Sequence, residues 1–152
     1  MKRSLVLILP LLLAACAGGR GSWNGSVQCA PYAREHSAIN LRGAAASWWG
    51  EAQGQYSRTS SPRAGDVMVF RSTGRLPSGH VSVVKQVRNS RLVLVDHANW
   101  EPGQVTRHAP VVDVSPNNNW TRVRVWWSPI HAMGKTVYPV YGFIEPTGTG
   151  GS

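Results

Sequence analysis

Apolar residues follow three different patterns along the chain, and each pattern predicts a different kind of structure. Residues 5–13 form a nearly continuous apolar run. The segment that follows Cys29 is rich in alanine and other helix formers, and Pro31 suits the first turn of a helix. This second pattern predicts two short helices, at residues 30–40 and 44–53.

After Pro62 the chain is rich in valine and alternates between apolar and polar residues, which is typical of β-strands. Asn89 and Ser90 separate two of these runs and predict a tight antiparallel hairpin. We therefore expect an α+β domain in which short N-terminal helices pack on one side of an antiparallel β-sheet. The predicted strands cover residues 67–71, 80–88, 92–99, 105–109, 122–127 and 140–144.

The N-terminal apolar run has the features of a secretion signal. It follows Lys2 and Arg3 and is far shorter than the roughly 20 residues that a membrane-spanning helix needs. Residues 13–16, Leu-Ala-Ala-Cys, resemble the lipobox of bacterial lipoproteins, whose cysteine is acylated and begins the mature chain. The alternative is an ordinary signal peptide that is cleaved at a small residue nearby.

These features divide the chain into four parts. We expect a lipoprotein signal peptide at residues 1–15, a flexible tether at 16–26, one folded domain at 27–144 and a disordered tail at 145–152. Acylated Cys16 would hold the domain on the periplasmic side of a membrane. The outer membrane is preferred because Ala17 is not an inner-membrane retention signal.

The chain has sixteen Lys and Arg residues against seven Asp and Glu, which gives a formal net charge of +9. This charge favours acidic partners such as nucleic acid, anionic lipid or the carboxylate-bearing peptides of a cell wall, although a generally basic surface explains it equally well. No run of basic residues interleaves with aromatic residues, so we expect no nucleic-acid partner. We expect a monomer.

No motif for a metal or cofactor is present, and we predict neither. His36, His108 and His131 lack the spacing of metal ligands. Asp66 is expected to cap or pair locally. Most of the large aromatic residues are expected in the core, with one or two lining a groove for sugar or peptide; they include Trp48, Trp49, Tyr56, Trp100, Trp126 and Trp127.

The two cysteines of the chain have different expected fates. If Cys16 is acylated it cannot form a disulfide, and Cys29 is then an unpaired thiol in an oxidising compartment. Cys29 directly precedes the first predicted helix, where backbone N–H groups and the helix dipole favour a thiolate. It is therefore a candidate nucleophile, although a cysteine at a helix start is often a small buried apolar residue.

His80 is the candidate base for this thiol, since it follows Gly79 and opens a predicted strand. A third residue must then hold the imidazole by its other nitrogen. Because side chains alternate along a strand, His97 and Asn99 share one face while Asp96 lies on the other. The alternation favours His97 or Asn99 over Asp96 unless a bulge intervenes.

A set of short motifs across roughly residues 27–127 resembles the CHAP family of cysteine, histidine-dependent amidohydrolases and peptidases. In chain order the motifs are Gln28-Cys29 with Tyr32, Gly43 and Trp48, residues 62–67 (Pro-Arg-Ala-Gly-Asp-Val) with Phe70, Gly79-His80-Val81, and Asn99-Trp100. The resemblance implies a papain-like α+β fold, related to the NlpC/P60 peptidases, in which Cys29 opens the first helix and His80 lies on the facing sheet.

The resemblance also implies cleavage of peptidoglycan, either at the N-acetylmuramoyl-L-alanine amide or within its peptides. Cys29 would form an acyl-enzyme, with its backbone N–H and Gln28 stabilising the oxyanion. One residue departs from the family pattern, because His97 stands where many members carry Glu. This departure leaves open a second function, that of a catalytically silent lipoprotein that binds the wall.

Overall fold

The computed structural model describes residues 27–146 of the 152-residue chain. The predicted signal peptide, the predicted tether and Cys16 lie outside the described residues, as does most of the predicted tail. Within residues 27–146, no helix combines the length and the apolar character that are needed to cross a membrane.

The described part opens with a helix, α1, at Cys29–Glu35. Gln28 precedes it in an extended conformation, and Pro31 lies in its first turn, where a missing N–H group costs no helical hydrogen bond. The helix is shorter than the predicted one. Ser37 donates its hydroxyl hydrogen to the carbonyl of Ala33 at 2.7 Å, and this bond competes with the next turn of the backbone ladder.

The second helical segment is also shorter than the prediction of residues 44–53. A 3-10 turn at Ala45–Ser47 leads into α2, a single turn at Trp48–Glu51. The backbone N–H of Ala46 donates to the carbonyl of Ser78 at 2.9 Å, which joins this segment to the loop before the third strand. The tertiary contact satisfies an N–H group that a helix start leaves without a partner.

Of the eight strands within residues 27–146, six overlap predicted strands, and β6 has the predicted bounds. The remaining two, β1 and β7, were not predicted because they are too short to show a periodic pattern. The last strand includes Glu145, which the sequence placed in the tail. The strands are β1 Ser57–Thr59, β2 Val67–Phe70, β3 His80–Asn89, β4 Leu92–Ala98, β5 Val105–Asp113, β6 Arg122–Trp127, β7 Ala132–Met133 and β8 Tyr138–Glu145.

All strand pairs are antiparallel, and the sheet closes on itself. Strand β8 pairs with β2 along one edge and with β6 along the other, so that β2, β3, β4, β5, β6 and β8 form a barrel. The predicted antiparallel sheet with short helices packed on it is present, but its closure was not predicted. Closure needs pairing between strands far apart in sequence, which no local pattern encodes.

The middle of the sheet is buried on both faces, and this creates two hydrophobic cores. All four side chains of β2 are fully buried, with Met68 and Phe70 inside the barrel and Val67 and Val69 beneath the helices. A strand with both faces covered reads as an unbroken apolar run, as β2 does. In β3, Val81 and Val83 pack beneath the helices.

The turn into β3 depends on a glycine. Gly79 has a φ of +69°, and a side-chain carbon there would lie 2.6 Å from the carbonyl oxygen of Phe70 and 2.7 Å from the Cβ of Ala46. Its N–H group also donates to the carbonyl of Leu76 at 2.9 Å. Only glycine accommodates both the left-handed backbone and the close approach of the 3-10 turn. Gly79 therefore determines where His80 begins its strand.

We expect Gly79→Ala to lower the free energy of unfolding clearly more than Gly54→Ala does. Both glycines have a positive φ, +79° at Gly54, but an alanine at Gly54 would have no atom within 4 Å. Gly54→Ala thus measures the backbone strain alone, about 1–2 kcal/mol. Urea denaturation of the two variants measures the difference, and equal losses would contradict the close packing described at Gly79.

Candidate active site

Cys29 is the first residue of α1, and its half-buried thiol faces the start of β3. The backbone N–H groups that reach the sulfur belong to Val81, to Ala30 and to Cys29 itself. Val81 directly follows His80 in the chain, so the helix that carries the thiol is packed against the strand that carries the imidazole. The fold therefore brings the predicted nucleophile next to the strand of its predicted base.

Burial dominates the charge state of this thiol. It raises the pKa of Cys29 above its usual value, and the three backbone N–H groups lower it by less. This direction is opposite to the sequence-based expectation, in which the helix start favours a thiolate. A helix as short as α1 contributes little dipole, whereas the side chains that pack against the thiol remove water from it.

His80 is the first residue of β3 and is only 3% exposed. Its Nε2 atom lies 3.1 Å from Nδ1 of His97. Two aromatic rings pack against the imidazole, with Phe70 at 5.4 Å and Trp100 at 5.0 Å between ring centroids. The ring is thus oriented through Nε2, which leaves Nδ1 as the nitrogen available to a thiol.

The register between β3 and β4 explains why His97 reaches His80. Val83 lies opposite Asp96, so Ser82 and His97 share the face of His80 while Asp96 lies on the other face. This is the arrangement that the alternation of side chains predicted. Asp96 accepts a hydrogen bond from the backbone N–H of His108 at 2.7 Å and has no contact with the imidazole of His80 among the described residues.

The structure places Asn99 away from the ring of His80. Asn99 follows the end of β4 with a φ of +59°, which turns its side chain out of the strand alternation. Its amide donates to Oε1 of Gln28 at 3.2 Å, and its Oδ1 accepts from the N–H of Gly103 at 2.8 Å. Of the two residues predicted to orient His80, the structure brings only His97 to it.

Ser82 is part of the site, although the sequence did not single it out. Its hydroxyl lies 3.1 Å from Nδ1 of His97, the same atom that meets His80. The hydroxyl is fully buried. The sequence contains the information needed to find Ser82. It lies two residues after His80 on the same strand face, and the hairpin register places it opposite His97.

Burial favours the neutral form of both imidazoles. Burial lowers the pKa of His97 to about 3, and its Nε2 is a buried atom without a hydrogen-bond partner among the described residues. Burial, together with neighbouring His97, holds the pKa of His80 well below its usual range. When Nδ1 of His97 accepts from Nε2–H of His80, the Nδ1 of His80 carries a free lone pair and is a base.

A CHAP domain model matches residues 19–99, which is more than half of the 152-residue chain. The chain belongs to the CHAP domain family. The match contains Cys29, His80 and His97 and overlaps the predicted tether. CHAP domains are typically peptidoglycan hydrolase domains with amidase or peptidase activity. None of the curated proteins matches the chain.

Outside this site, the CHAP domain shows few groups with catalytic potential. Within residues 27–146, no three His, Cys, Asp or Glu side chains are grouped so that they could hold a metal ion. Asp66 accepts from the backbone N–H of Arg63 at 2.7 Å, which is a local turn contact. Burial raises the pKa of Asp66 to about 6, but its position next to Arg63 and Glu145 gives it no contact with Cys29.

We expect Cys29 to react with iodoacetamide only at alkaline pH. Burial raises the pKa of the Cys29 thiol in the folded protein. At any given pH the folded protein therefore holds a smaller fraction of thiolate than an unfolded chain, whose cysteine has a pKa of about 8.5. The rate of labelling of the Cys29 peptide, followed by mass spectrometry as pH rises, should have its midpoint above that of the urea-unfolded control. A midpoint below that of the unfolded control would show a preformed thiolate.

Proposed function

We propose that this protein is a peptidoglycan hydrolase that cleaves amide bonds, with Cys29 as nucleophile and His80 as its general base. The observation that carries the proposal is the bond from His80 to His97 at 3.1 Å, in a CHAP domain whose first helix presents Cys29 to the same strand. An imidazole that is held by one nitrogen keeps its other nitrogen available to a thiol on the neighbouring helix, which is what nucleophilic catalysis needs.

The directions of the pKa shifts of Cys29 and His80 support a general-base mechanism. The Nδ1 atom of His80 takes the thiol proton as the sulfur of Cys29 attacks the carbonyl carbon, so no thiolate needs to be present beforehand. His80 then gives this proton to the leaving amine, and water hydrolyses the acyl-enzyme. No hydrogen bond joins Cys29 to His80 among the described residues, and catalytic contacts of this kind often shorten only when substrate binds.

The oxyanion of the tetrahedral intermediate would form beside the start of α1. The backbone N–H of Cys29 is one donor in this proposal, and Gln28 is the second residue that contributes. The hydrogen bond from Asn99 to Gln28 gives Asn99 a function in this scheme, because it holds the Gln28 side chain next to the nucleophile. Asn99 is then a positioning residue of the oxyanion site instead of a partner of His80.

His97 is the proposed third member of a Cys-His-His chain. It accepts a hydrogen bond from His80 and fixes the orientation of that ring, with Ser82 bound to the same nitrogen of His97. A neutral imidazole stabilises the imidazolium of His80 less than a carboxylate would. The order of nucleophile, histidine and a polar third residue supports a papain-like fold related to the NlpC/P60 peptidases.

The missing carboxylate also favours a second candidate function, wall binding without turnover. Since His97 cannot offer a negative charge, the imidazolium of His80 has only a hydrogen bond to support it. In this alternative the protein sediments with purified peptidoglycan but releases no fragments after long incubation under reducing conditions. Release of fragments or of new amino groups would instead establish the hydrolase.

We expect Cys29→Ala and His80→Ala to abolish the release of soluble fragments from purified peptidoglycan. Loss of a general base typically lowers turnover by about 10²–10⁴-fold, and loss of the nucleophile removes the acyl-enzyme entirely. His97→Asn should retain part of the activity, because an amide oxygen can still accept from His80. His36→Gln, an exposed histidine at the other end of α1, is the matched control and should keep full activity.

Two outcomes of this experiment would contradict the assignment of the site. Equal activity of Cys29→Ala and the unmodified protein would exclude Cys29 as the nucleophile. Full loss in His36→Gln, with an unchanged melting temperature, would mean that the losses are not specific to the site. Mass spectrometry of the fragments then distinguishes cleavage at the N-acetylmuramoyl-L-alanine amide from cleavage within the peptides.

We further propose that the domain is exported and lipid-anchored through Cys16 on the periplasmic side, with the outer membrane preferred. The support is the charged start, the short apolar run and the Leu-Ala-Ala-Cys motif at residues 13–16, all outside the described residues. Acylation would increase the mass of the peptide that begins at Cys16. An unmodified cysteine in protein purified from membranes would contradict the anchor.

A further inference from the structure

A cavity of about 590 Å³ lies beside the catalytic histidines. The end of β6, the turn that follows it and the start of β8 form most of its wall, and Arg75 from the loop before β3 completes it. Its aromatic lining consists of Trp100, Trp127 and Tyr138. None of these four residues carries a role in the mechanism proposed above.

Trp100 connects this cavity to His80. One indole contacts the His80 ring at 5.0 Å and stacks on the His97 ring at 5.5 Å, and the same side chain lines the cavity. Tyr138 packs against Trp100 at 4.9 Å on the cavity side. A ligand in the cavity is thus separated from the catalytic imidazoles by the thickness of a single side chain.

The charged residues that line the cavity are all basic. Arg75 and Lys135 both line it with exposed side chains, and none of the described lining residues is acidic. The other lining residues are three aromatic residues, small or apolar residues and Thr136, and one of the apolar residues, Ile130, is 59% exposed. Two cations over an aromatic floor suit a ligand that carries carboxylates on an otherwise extended, partly apolar chain.

We propose that this cavity binds the carboxylate-bearing stem peptide of peptidoglycan, with Arg75 and Lys135 pairing with its carboxylates. The inference rests on the proposed function, since it makes the cavity a substrate subsite of the same active centre. The peptide is favoured over the glycan because the N-acetylated sugars carry no charge once the lactyl group is in amide linkage. An uncharged glycan would leave the two cations without partners.

Binding can be measured without turnover by using the full chain with Cys29→Ala, purified in detergent. The probe is N-acetyl-L-alanyl-γ-D-glutamyl-Nε-acetyl-L-lysine, and its counterpart has both carboxylates converted to carboxamides. Calorimetric titration should show binding of the acidic probe, weaker binding of the amidated probe, and weaker binding of the acidic probe at higher salt. Equal affinity for the two probes would overturn the proposal.

Two double variants separate the cavity from the general positive charge of the protein. Arg75→Gln with Lys135→Gln should weaken binding of the acidic probe by about ten-fold, as expected for the loss of two partly exposed ion pairs. Lys85→Gln with Arg88→Gln removes the same net charge from exposed positions on β3 that do not line the cavity. This control should change affinity by less than about two-fold, and equal weakening by both pairs would contradict a local site.

Failure of this inference is distinguishable from failure of the proposed function. If the Arg75→Gln, Lys135→Gln variant with Cys29 intact hydrolyses peptidoglycan with the same KM as the unsubstituted protein, the proposed function stands and the cavity is not its peptide subsite. A raised KM with nearly unchanged kcat supports the subsite. Binding of an N-acetylglucosamine oligosaccharide in place of the acidic peptide, lost in Trp127→Ala, would assign the cavity to the glycan and overturn the proposal.

Discussion

Burial of the first half of β3 on both faces is the constraint on which the rest of the structure depends. The helices cover one face through Val81 and Val83, and the barrel interior covers the other, where His80 and Ser82 point. The helix that carries Cys29 packs on the outer face, and the backbone N–H of Val81, next to His80, reaches its thiol. The same two-sided packing that stabilises the fold brings the thiol and the imidazole to one place.

The same burial determines the protonation of the site. It raises the pKa of Cys29 and lowers those of His80 and His97, so each group is pushed towards its neutral form. A neutral thiol beside a neutral imidazole favours proton transfer during attack over a standing ion pair. In the proposed mechanism His97 contributes a lone pair and no charge, so its part would be to orient His80.

Under the proposed function, the aromatic residues around the histidines would link catalysis to substrate recognition. Phe70 and Trp100 pack on His80 and shield it from water, while Trp100 and Tyr138 also line the cationic cavity. The packing that shifts the pKa of His80 and the surface that would meet the substrate are therefore parts of one cluster. Trp100 and Tyr138 have apolar rings with a polar group at one edge, so they can pack against a buried ring and also line a cavity open to solvent.

Local properties of the chain determined the order of the short helices and the six longer strands, since periodicity acts over neighbouring residues. They also identified Cys29 and His80 as candidates. The alternation of side chains placed His97 on the face of His80. The resemblance to CHAP domains was also readable from short motifs.

Only the tertiary structure decided the rest. Closure of the barrel through β8, the raised pKa of Cys29, the partnership of Asn99 with Gln28 and the cavity at Trp100 all depend on contacts between residues distant in sequence. Desolvation, in particular, depends on everything packed around a group, and so no single strand or helix pattern can encode it.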